Sequence, residues 1–145
     1  MSRRMTLAAA LALTAAMGAA ATEPAPFKLI VNAKSPGRAI ARDAVAQVYL
    51  GKAQRWSDGS PAIAVDLSST SPVRRSFSEA VLAMSVEGVK NHWLKLMLSG
   101  DKRPPVTKQS DEDVIAFVAG DRGAIGYVSE ATPLPATVRT IAIQQ

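Results

Sequence analysis

The sequence that decides the fold is Tyr49-Leu50-Gly51-Lys52, followed by Trp56 and Asp58-Gly59, together with the later run Gly123-Ala124-Ile125-Gly126-Tyr127-Val128. Gly51 stands where a helix would end, because glycine accepts the left-handed conformation that commonly follows a helix. Asp58-Gly59 is a turn signal, and we interpret Trp56 as a core side chain beneath that turn. Gly126 inside an apolar run predicts a close approach of neighbouring groups or a local bend in a strand.

Outward from these stretches, apolar runs of strand length alternate with segments of helical periodicity. The predicted strands are 27–31, 62–67, a short one around Val106, 124–128 and 137–143. The predicted helices are 41–50, a second from Pro72, a third that ends near Gly100 and a fourth that ends at Gly120. This alternation predicts an α/β protein with helices packed on the faces of a sheet.

Serine residues predict where three of the helices begin. Ser71 precedes Pro72, and Ser85 and Ser110 precede the third and fourth helical segments, with Asp113 completing a capping-box variant after Ser110. Apolar side chains at helical spacing then predict the inward faces, which are Val45, Val48 and Tyr49; Val73, Phe77, Ala80, Val81 and Met84; Val89, Trp93, Leu96 and Met97; and Val114, Phe117 and Val118.

The first 21 residues have the pattern of a signal peptide. Arg3 and Arg4 form a basic start, residues 6–17 are apolar and rich in alanine, and Ala19-Ala20-Ala21 supplies the small residues of a cleavage site. The apolar run is shorter than the ~20 residues needed to span a bilayer. We assign 1–21 to a signal peptide, 22–26 to a flexible leader and 27–145 to one domain. We therefore expect a periplasmic or secreted protein with no membrane span in the mature chain.

The mature chain would have 124 residues, the 145 of the sequence less the 21 of the signal, and its charge would fall from +5 to +3. This length suits one domain with its own core. The sequence has no cysteine, so it has neither a disulfide nor thiol chemistry. Its basic residues are scattered, with few aromatic residues between them, which argues against nucleic-acid binding.

Patterns typical of enzymes and cofactor sites are missing from the sequence. His92 is the only histidine, which leaves too few ligands for a usual zinc site, and no nucleophile-elbow motif or nucleotide-binding loop accompanies it. We interpret Asp111-Glu112-Asp113 as acids that complement a helix dipole rather than as a metal cluster. We therefore expect a protein that is not an enzyme and has no metal or cofactor.

The most concentrated polar site is the run Ser68-Ser69-Thr70-Ser71, followed by Arg74 and Arg75. Hydroxyl groups at a helix N-terminus, with arginines one turn inside, suit a phosphate or carboxylate. The loop also follows a strand, where open α/β sheets commonly bind ligands. Ser69, Thr70, Ser71, Arg74 and Arg75 are the predicted ligand-binding residues, and we expect Arg74 to be exposed. The alternative is a plain N-cap in which Arg75 pairs with Glu79.

The two opening stretches, in their order and separation, resemble the phosphate-binding receptors of bacterial ABC uptake transporters, which are periplasmic substrate-binding proteins. The resemblance extends over essentially the whole mature chain. It implies a single lobe of the type II periplasmic-binding-protein-like fold, an α/β architecture with a mixed sheet and helices on both faces. Those receptors have two lobes, whereas this chain has the length of one.

The candidate loop departs from the pattern that the resemblance implies. In those receptors the loop resembles an arginine, a spacer and then Ser-Gly-Thr before the helix. With Phe77 as the anchor, Ser71 matches the serine, but Pro72 and Val73 replace the glycine and threonine, and Leu67 lies near the arginine position. Arg74 is our candidate to replace the missing arginine.

Two functions remain open from the sequence. The first is reversible, non-catalytic binding of a small oxyanion, phosphate first, with a transporter or a second-lobe protein as a possible partner. The second is a protein-interaction module derived from a receptor lobe that has lost its ligand. The departures in the loop favour the second, and the fold resemblance favours the first.

Overall fold

The structure is a computed structural model that describes residues 24–100 and 102–145. The predicted signal peptide at 1–21 lies outside the described residues, as do the first two residues of the predicted leader. Among the described residues, no helix combines the length and the apolar character needed to cross a membrane.

The described residues form six strands and four α-helices. The strands are β1 (Phe27–Asn32), β2 (Ala39–Ala41), β3 (Ile63–Leu67), β4 (Val106–Lys108), β5 (Ala124–Ser129) and β6 (Val138–Gln144). The helices are α1 (Arg42–Tyr49), α2 (Pro72–Phe77), α3 (Val86–Ser99) and α4 (Asp111–Ala119), and α2 continues into a π-helical turn at Ser78–Leu82. The sequence did not predict β2 or the π-helical turn.

All six strands join in one mixed sheet with the order β2-β6-β1-β5-β3-β4. The central strand β1 is antiparallel to both β5 and β6, whereas β3 is parallel to β5 and β4, and β2 is parallel to β6. The predicted α/β class and mixed sheet are therefore confirmed.

Helices cover both faces of the sheet, as predicted. On one face, a Cβ added to Gly126 would lie 2.7 Å from Val114 of α4, so the helix can pack closely only because this residue is glycine. On the opposite face, the Tyr127 ring stacks on Phe77 of α2 with 3.9 Å between the centroids. Consecutive strand residues point to opposite faces. Gly126 therefore lets α4 approach one face of β5 closely, and Tyr127 packs against α2 on the other face.

Local capping follows the sequence prediction. The hydroxyl oxygens of Ser71, Ser85 and Ser110 each accept a hydrogen bond from the backbone N–H three residues later, at 3.3, 3.0 and 3.1 Å. Gly51 follows the last residues of α1 with a φ of +74°, the left-handed conformation predicted for it. These bonds satisfy helix-end groups that would otherwise lack partners.

Two predicted core side chains are exposed, and a third lies at the margin of the core. Ala80 is exposed because the π-helical turn interrupts the 3.6-residue period on which the prediction relied. Met97 is 51% exposed, since α3 turns Val89 and Trp93 toward the core instead. Phe117 is half-buried at the margin of the core, with the Lys108 amine 5.7 Å from its ring centre. Phe77 and Trp93 are buried as predicted.

Trp56 and His92 have structural hydrogen bonds. Trp56 is half-buried, and its Nε1 donates to the carbonyl of Gly123 at 2.9 Å. His92 is half-buried, with its Nε2 2.8 Å from the carbonyl oxygen of Leu50. Both contacts tie a loop or helix end to a distant part of the chain.

Candidate functional site

The serine-rich loop lies between the end of β3 and the start of α2, as the sequence predicted. Its hydroxyl groups mainly bond within the loop: the Ser68 and Thr70 side-chain oxygens are 3.1 Å apart, and the Thr70 N–H donates to Ser68 Oγ at 3.4 Å. Ser71 Oγ is occupied by the cap. The plain capping interpretation therefore accounts for much of this loop.

Arg74 is buried, which corrects the expectation that it would be exposed. It is only 8% exposed. Its Nη1 lies 3.2 Å from Oδ2 of Asp66 and donates to the carbonyl of Leu67 at 2.7 Å. Its Nε is buried and has no hydrogen-bond partner among residues 24–100 and 102–145. The first turn of α2 directs this side chain under the loop, back toward the strand that precedes it.

Asp66 is the residue that the sequence analysis missed. It lies in β3 between apolar neighbours and reads as part of a buried strand. Burial raises the pKa of the Asp66 carboxyl, although the charge of Arg74 and a hydrogen bond from the Tyr127 hydroxyl oppose that shift. A single acid inside an apolar strand was the only signal available, because a buried charge needs a partner.

Two tyrosines complete this buried polar cluster. The Tyr49 hydroxyl donates to the carbonyl of Val65 at 2.8 Å, and the Tyr127 hydroxyl accepts from the N–H of Leu67 at 3.2 Å. Burial, followed by the negative charge of Asp66, raises the pKa of both phenols. Both tyrosines therefore act as neutral hydrogen-bonding groups around the Asp66–Arg74 pair.

A groove of about 440 Å³ opens beside this cluster, bounded by the end of β3, by α3 and by the segment that leads into β4. We call it the β3–α3 groove. Its polar lining includes Asp66, Ser68, Ser69, Arg74, Glu87 and Lys90. Its apolar lining includes Val89, Trp93, Leu94, Met97, Pro104 and Pro105.

The groove brings together only some of the predicted site residues. Ser69 and Arg74 line it, whereas Thr70, Ser71 and Arg75 do not. Arg75 is exposed, and no ion pair joins it to Glu79 in the part of the chain that the structure describes. Lys90 of α3 was not predicted, because nothing in the sequence indicated that α3 would lie opposite this loop.

The lining of the groove suits reversible binding of a small polar ligand. Hydroxyl groups and two basic side chains provide donors, and Asp66 and Glu87 partly offset the positive charge. Within the described ranges, no group of three or more His, Cys, Asp or Glu side chains is placed to hold a metal ion.

No protein-family model and no curated protein sequence matches the chain. Solved structures do. A phosphate ABC transporter substrate-binding protein from Clostridium perfringens, with bound phosphate, aligns with a TM-score of 0.64 and 18% identity over 81% of this chain. An ABC-type phosphate transport receptor from Vibrio cholerae aligns with a TM-score of 0.63 and 16% identity over 81% of this chain. PstS from Borrelia burgdorferi gives 0.63 and 12% identity over 83%.

This chain spans less than half of each of those structures, namely 44%, 46% and 47% of their lengths. At such low identities the likeness concerns the fold. The structural similarity shows that the chain has the fold of part of a periplasmic substrate-binding protein, as one lobe would have.

Proposed function

We propose that this protein is an exported, non-catalytic lobe that reversibly binds a small oxyanion, phosphate first, in the β3–α3 groove. The observation that carries the proposal is the Arg74 guanidinium in the wall of the groove. Both of its contacts are made through Nη1, which leaves Nη2 without a protein acceptor among the described residues. Arginine presents several donors in a fork that matches oxyanions, so part of that fork is available.

Each predicted site residue has a distinct part in this proposal. Ser69 and Arg74 contact the anion, together with Lys90, which was not in the predicted set. Ser71 holds the first turn of α2 through its cap, and Thr70 orders the loop through Ser68. Arg75 contributes only long-range attraction, since it is exposed and outside the groove.

Binding in this groove is expected to be weak. Asp66 already occupies one nitrogen of the Arg74 guanidinium, and Glu87 adds negative charge to the lining. Two-lobed receptors gain affinity by closing around the ligand, and one lobe does not close on itself. We expect a Kd on the order of millimolar, with a clear weakening in high salt.

Calorimetric titration with phosphate, sulfate and acetate tests this proposal. Arg74→Lys keeps a positive charge beside Asp66 but loses the fork, and Lys90→Ala removes a donor from the rim. Each change should weaken phosphate binding about tenfold, the loss expected for one charge-assisted hydrogen bond. Lys95→Ala is the matched control, because Lys95 is exposed on α3 outside the groove. Absence of saturable phosphate binding at low salt would exclude the groove as an oxyanion site.

A second candidate, the protein-interaction module, is favoured by a separate observation. The exposed large hydrophobic side chains of the described residues are Leu94, Met97, Leu98 and Val106, at 47%, 51%, 89% and 47% exposure. Three of them lie on α3 at spacings of three and four, which places them on one helix face. Leu94 and Met97 also border the groove. We propose that a partner protein, such as a second lobe or a transporter subunit, contacts this face.

Site-specific photo-crosslinking tests the second candidate. A photoreactive residue at Leu98 should yield a discrete adduct in the extracytoplasmic fraction. The same residue at Ala80, which is exposed elsewhere, should yield none. Equal labelling at both positions would argue against a dedicated partner surface.

A further inference from the structure

A second cavity lies at the other end of the sheet from the β3–α3 groove. It has a volume of about 330 Å³ and is bordered by the loop after β1, by the turn that contains Trp56 and by Arg122. Ala124, which lines it, pairs with Ile63 at the beginning of β3, whereas the serine-rich loop follows the end of that strand. The two cavities are therefore separate sites. We call this one the Trp56 pocket.

The floor of the Trp56 pocket is apolar. Val31, Ala124 and Ile141 are buried side chains of β1, β5 and β6, and Ile40 and Trp56 are half-buried beside them. Small-molecule sites typically occupy 300–1,000 Å³ and combine apolar walls with a few placed polar groups. The floor fits the apolar part of a small ligand.

Two opposite charges lie at the rim of the pocket without forming an ion pair. Asp58 and Arg122 both line it, yet the single ion pair among the described residues is the one between Arg74 and Asp66. Hydrogen bonds from Ser60 lower the pKa of Asp58, and the charge of Arg122 adds a smaller effect in the same direction. The rim therefore offers one carboxylate and one guanidinium to a bound molecule.

The rim is held in place by the fold. Trp56 Nε1 donates to the carbonyl of Gly123 at 2.9 Å, which fixes the indole ring. Ser60 donates to Asp58 Oδ1 through its backbone N–H and its hydroxyl, at 2.9 and 2.6 Å. On the other side, Ser35 Oγ donates to the carbonyl of Arg122 at 2.6 Å. A rim ordered before binding reduces the entropy cost of capturing a ligand.

We infer that the Trp56 pocket binds a free apolar amino acid. The ligand carboxylate would contact Arg122, its ammonium group would contact Asp58, and its side chain would lie on the apolar floor beside Ile40 and Trp56. A free apolar amino acid carries a carboxylate, an ammonium group and an apolar side chain on the same carbon. This arrangement matches a rim with two opposite charges above an apolar floor. This site is independent of the oxyanion site proposed above.

Calorimetric titration of the full mature chain with L-phenylalanine and L-leucine tests the inference. We expect saturable binding at millimolar concentration. Arg122→Gln and Asp58→Asn should each weaken it about tenfold, since each removes one charge-assisted contact. Arg103→Gln is the control, because Arg103 does not line this pocket. Retention of wild-type binding by both rim variants, or no saturable binding of either amino acid, would overturn the inference.

Two further measurements keep the outcome specific. N-acetylphenylalanine lacks the ammonium group and phenylalaninamide lacks the carboxylate, so both should bind more weakly than L-phenylalanine. Equal binding of either analogue would contradict recognition of both charges. Excess phosphate should leave L-phenylalanine binding unchanged, and competition would place the amino acid in the β3–α3 groove instead. Failure of phosphate to bind there leaves this test unaffected.

Discussion

At the level of single residues, the Arg74–Asp66 pair determines how much stability is lost when either of these two groove residues is replaced. The two side chains are 10% and 6% exposed, so each charge depends on the other for compensation. Removing one member of a buried ion pair costs about 3–5 kcal/mol, whereas replacing both by apolar residues is often close to neutral. A substitution of Arg74 or Asp66 is therefore expected to change the stability of the core as well as the proposed site.

Arg74→Ala should lower the free energy of unfolding by about 3–5 kcal/mol, because it leaves the buried Asp66 without its cationic partner. Arg75→Ala, one residue later and exposed, should change it by at most about 0.5 kcal/mol. Urea denaturation followed by tryptophan fluorescence measures both. The double variant Asp66→Leu/Arg74→Met should recover most of the loss. Equal stability of the two single variants would show that the ion pair is not formed in solution.

The raised pKa of Asp66 also predicts a pH dependence. Because burial disfavours the charged carboxylate, the folded state binds a proton more tightly than the unfolded state, whose aspartates titrate near ~3.9. The contribution of this group to stability is therefore largest below that pH and is lost as pH rises through the raised folded value. The difference in unfolding free energy between wild type and Asp66→Asn should decrease over that interval. A difference that rises with pH would contradict the sign of the shift.

The sequence identified the loop but not the geometry of its charges. Ser71 was predicted as a cap because capping depends on residues three apart. Arg74 was predicted to be exposed and is buried, since its partner lies in the preceding strand, across the loop. Such a pairing depends on tertiary packing, and the only sequence trace of it is Asp66 among apolar neighbours.

At the level of secondary-structure elements, the end of α1 shows how one glycine permits tight packing. A Cβ added to Gly51 would lie 2.6 Å from Cη2 of the buried Trp93 ring. Gly51 therefore serves two purposes, because its φ of +74° also requires the left-handed region. Gly59 has a similar φ of +86°, but no atom of the described part of the chain lies within 4 Å of the position its Cβ would take.

This pair of glycines provides a matched comparison. Gly59→Ala should cost about 1–2 kcal/mol, the conformational penalty of a left-handed alanine. Gly51→Ala should cost about 1–3 kcal/mol more, because the Trp93 ring must shift within a packed core. Thermal or urea denaturation of both variants gives the difference directly. Equal losses would mean that Trp93 does not pack against this turn.

Elements governed by local rules were predicted well, and those governed by distant contacts were not. The four α-helices and five of the strands follow from periodicity and capping residues. The three-residue β2 has no pattern of its own and exists because Ala39–Ala41 pairs with β6. The π-helical turn after α2 changes the spacing between inward-facing residues. Ala80 is therefore exposed, although a regular α-helix would turn it toward the core.

At the level of the whole molecule, one sheet and one continuous core suggest that the domain folds as a unit. The mature chain, starting near Thr22, should unfold in a single cooperative transition, as domains of this size usually do. Coincident transitions by circular dichroism and fluorescence would confirm this.

N-terminal sequencing of the extracytoplasmic protein should begin within a few residues of Thr22, and an intact Met1 there would contradict the predicted signal peptide.

The position of β1 has a consequence for how the protein is made. This strand lies in the middle of the sheet, yet its partners come much later in the sequence: Phe27 pairs with Ser129, and Leu29 pairs with Ile141. During synthesis from the N-terminus, Ser129 and Ile141 are therefore made more than 100 residues after their partners in β1, since 129 − 27 is 102 and 141 − 29 is 112. Pairings of such long range also close slowly. We therefore expect β1 to stay unpaired until β5 and β6 have been made, which would keep the chain in a state that can pass through a membrane channel.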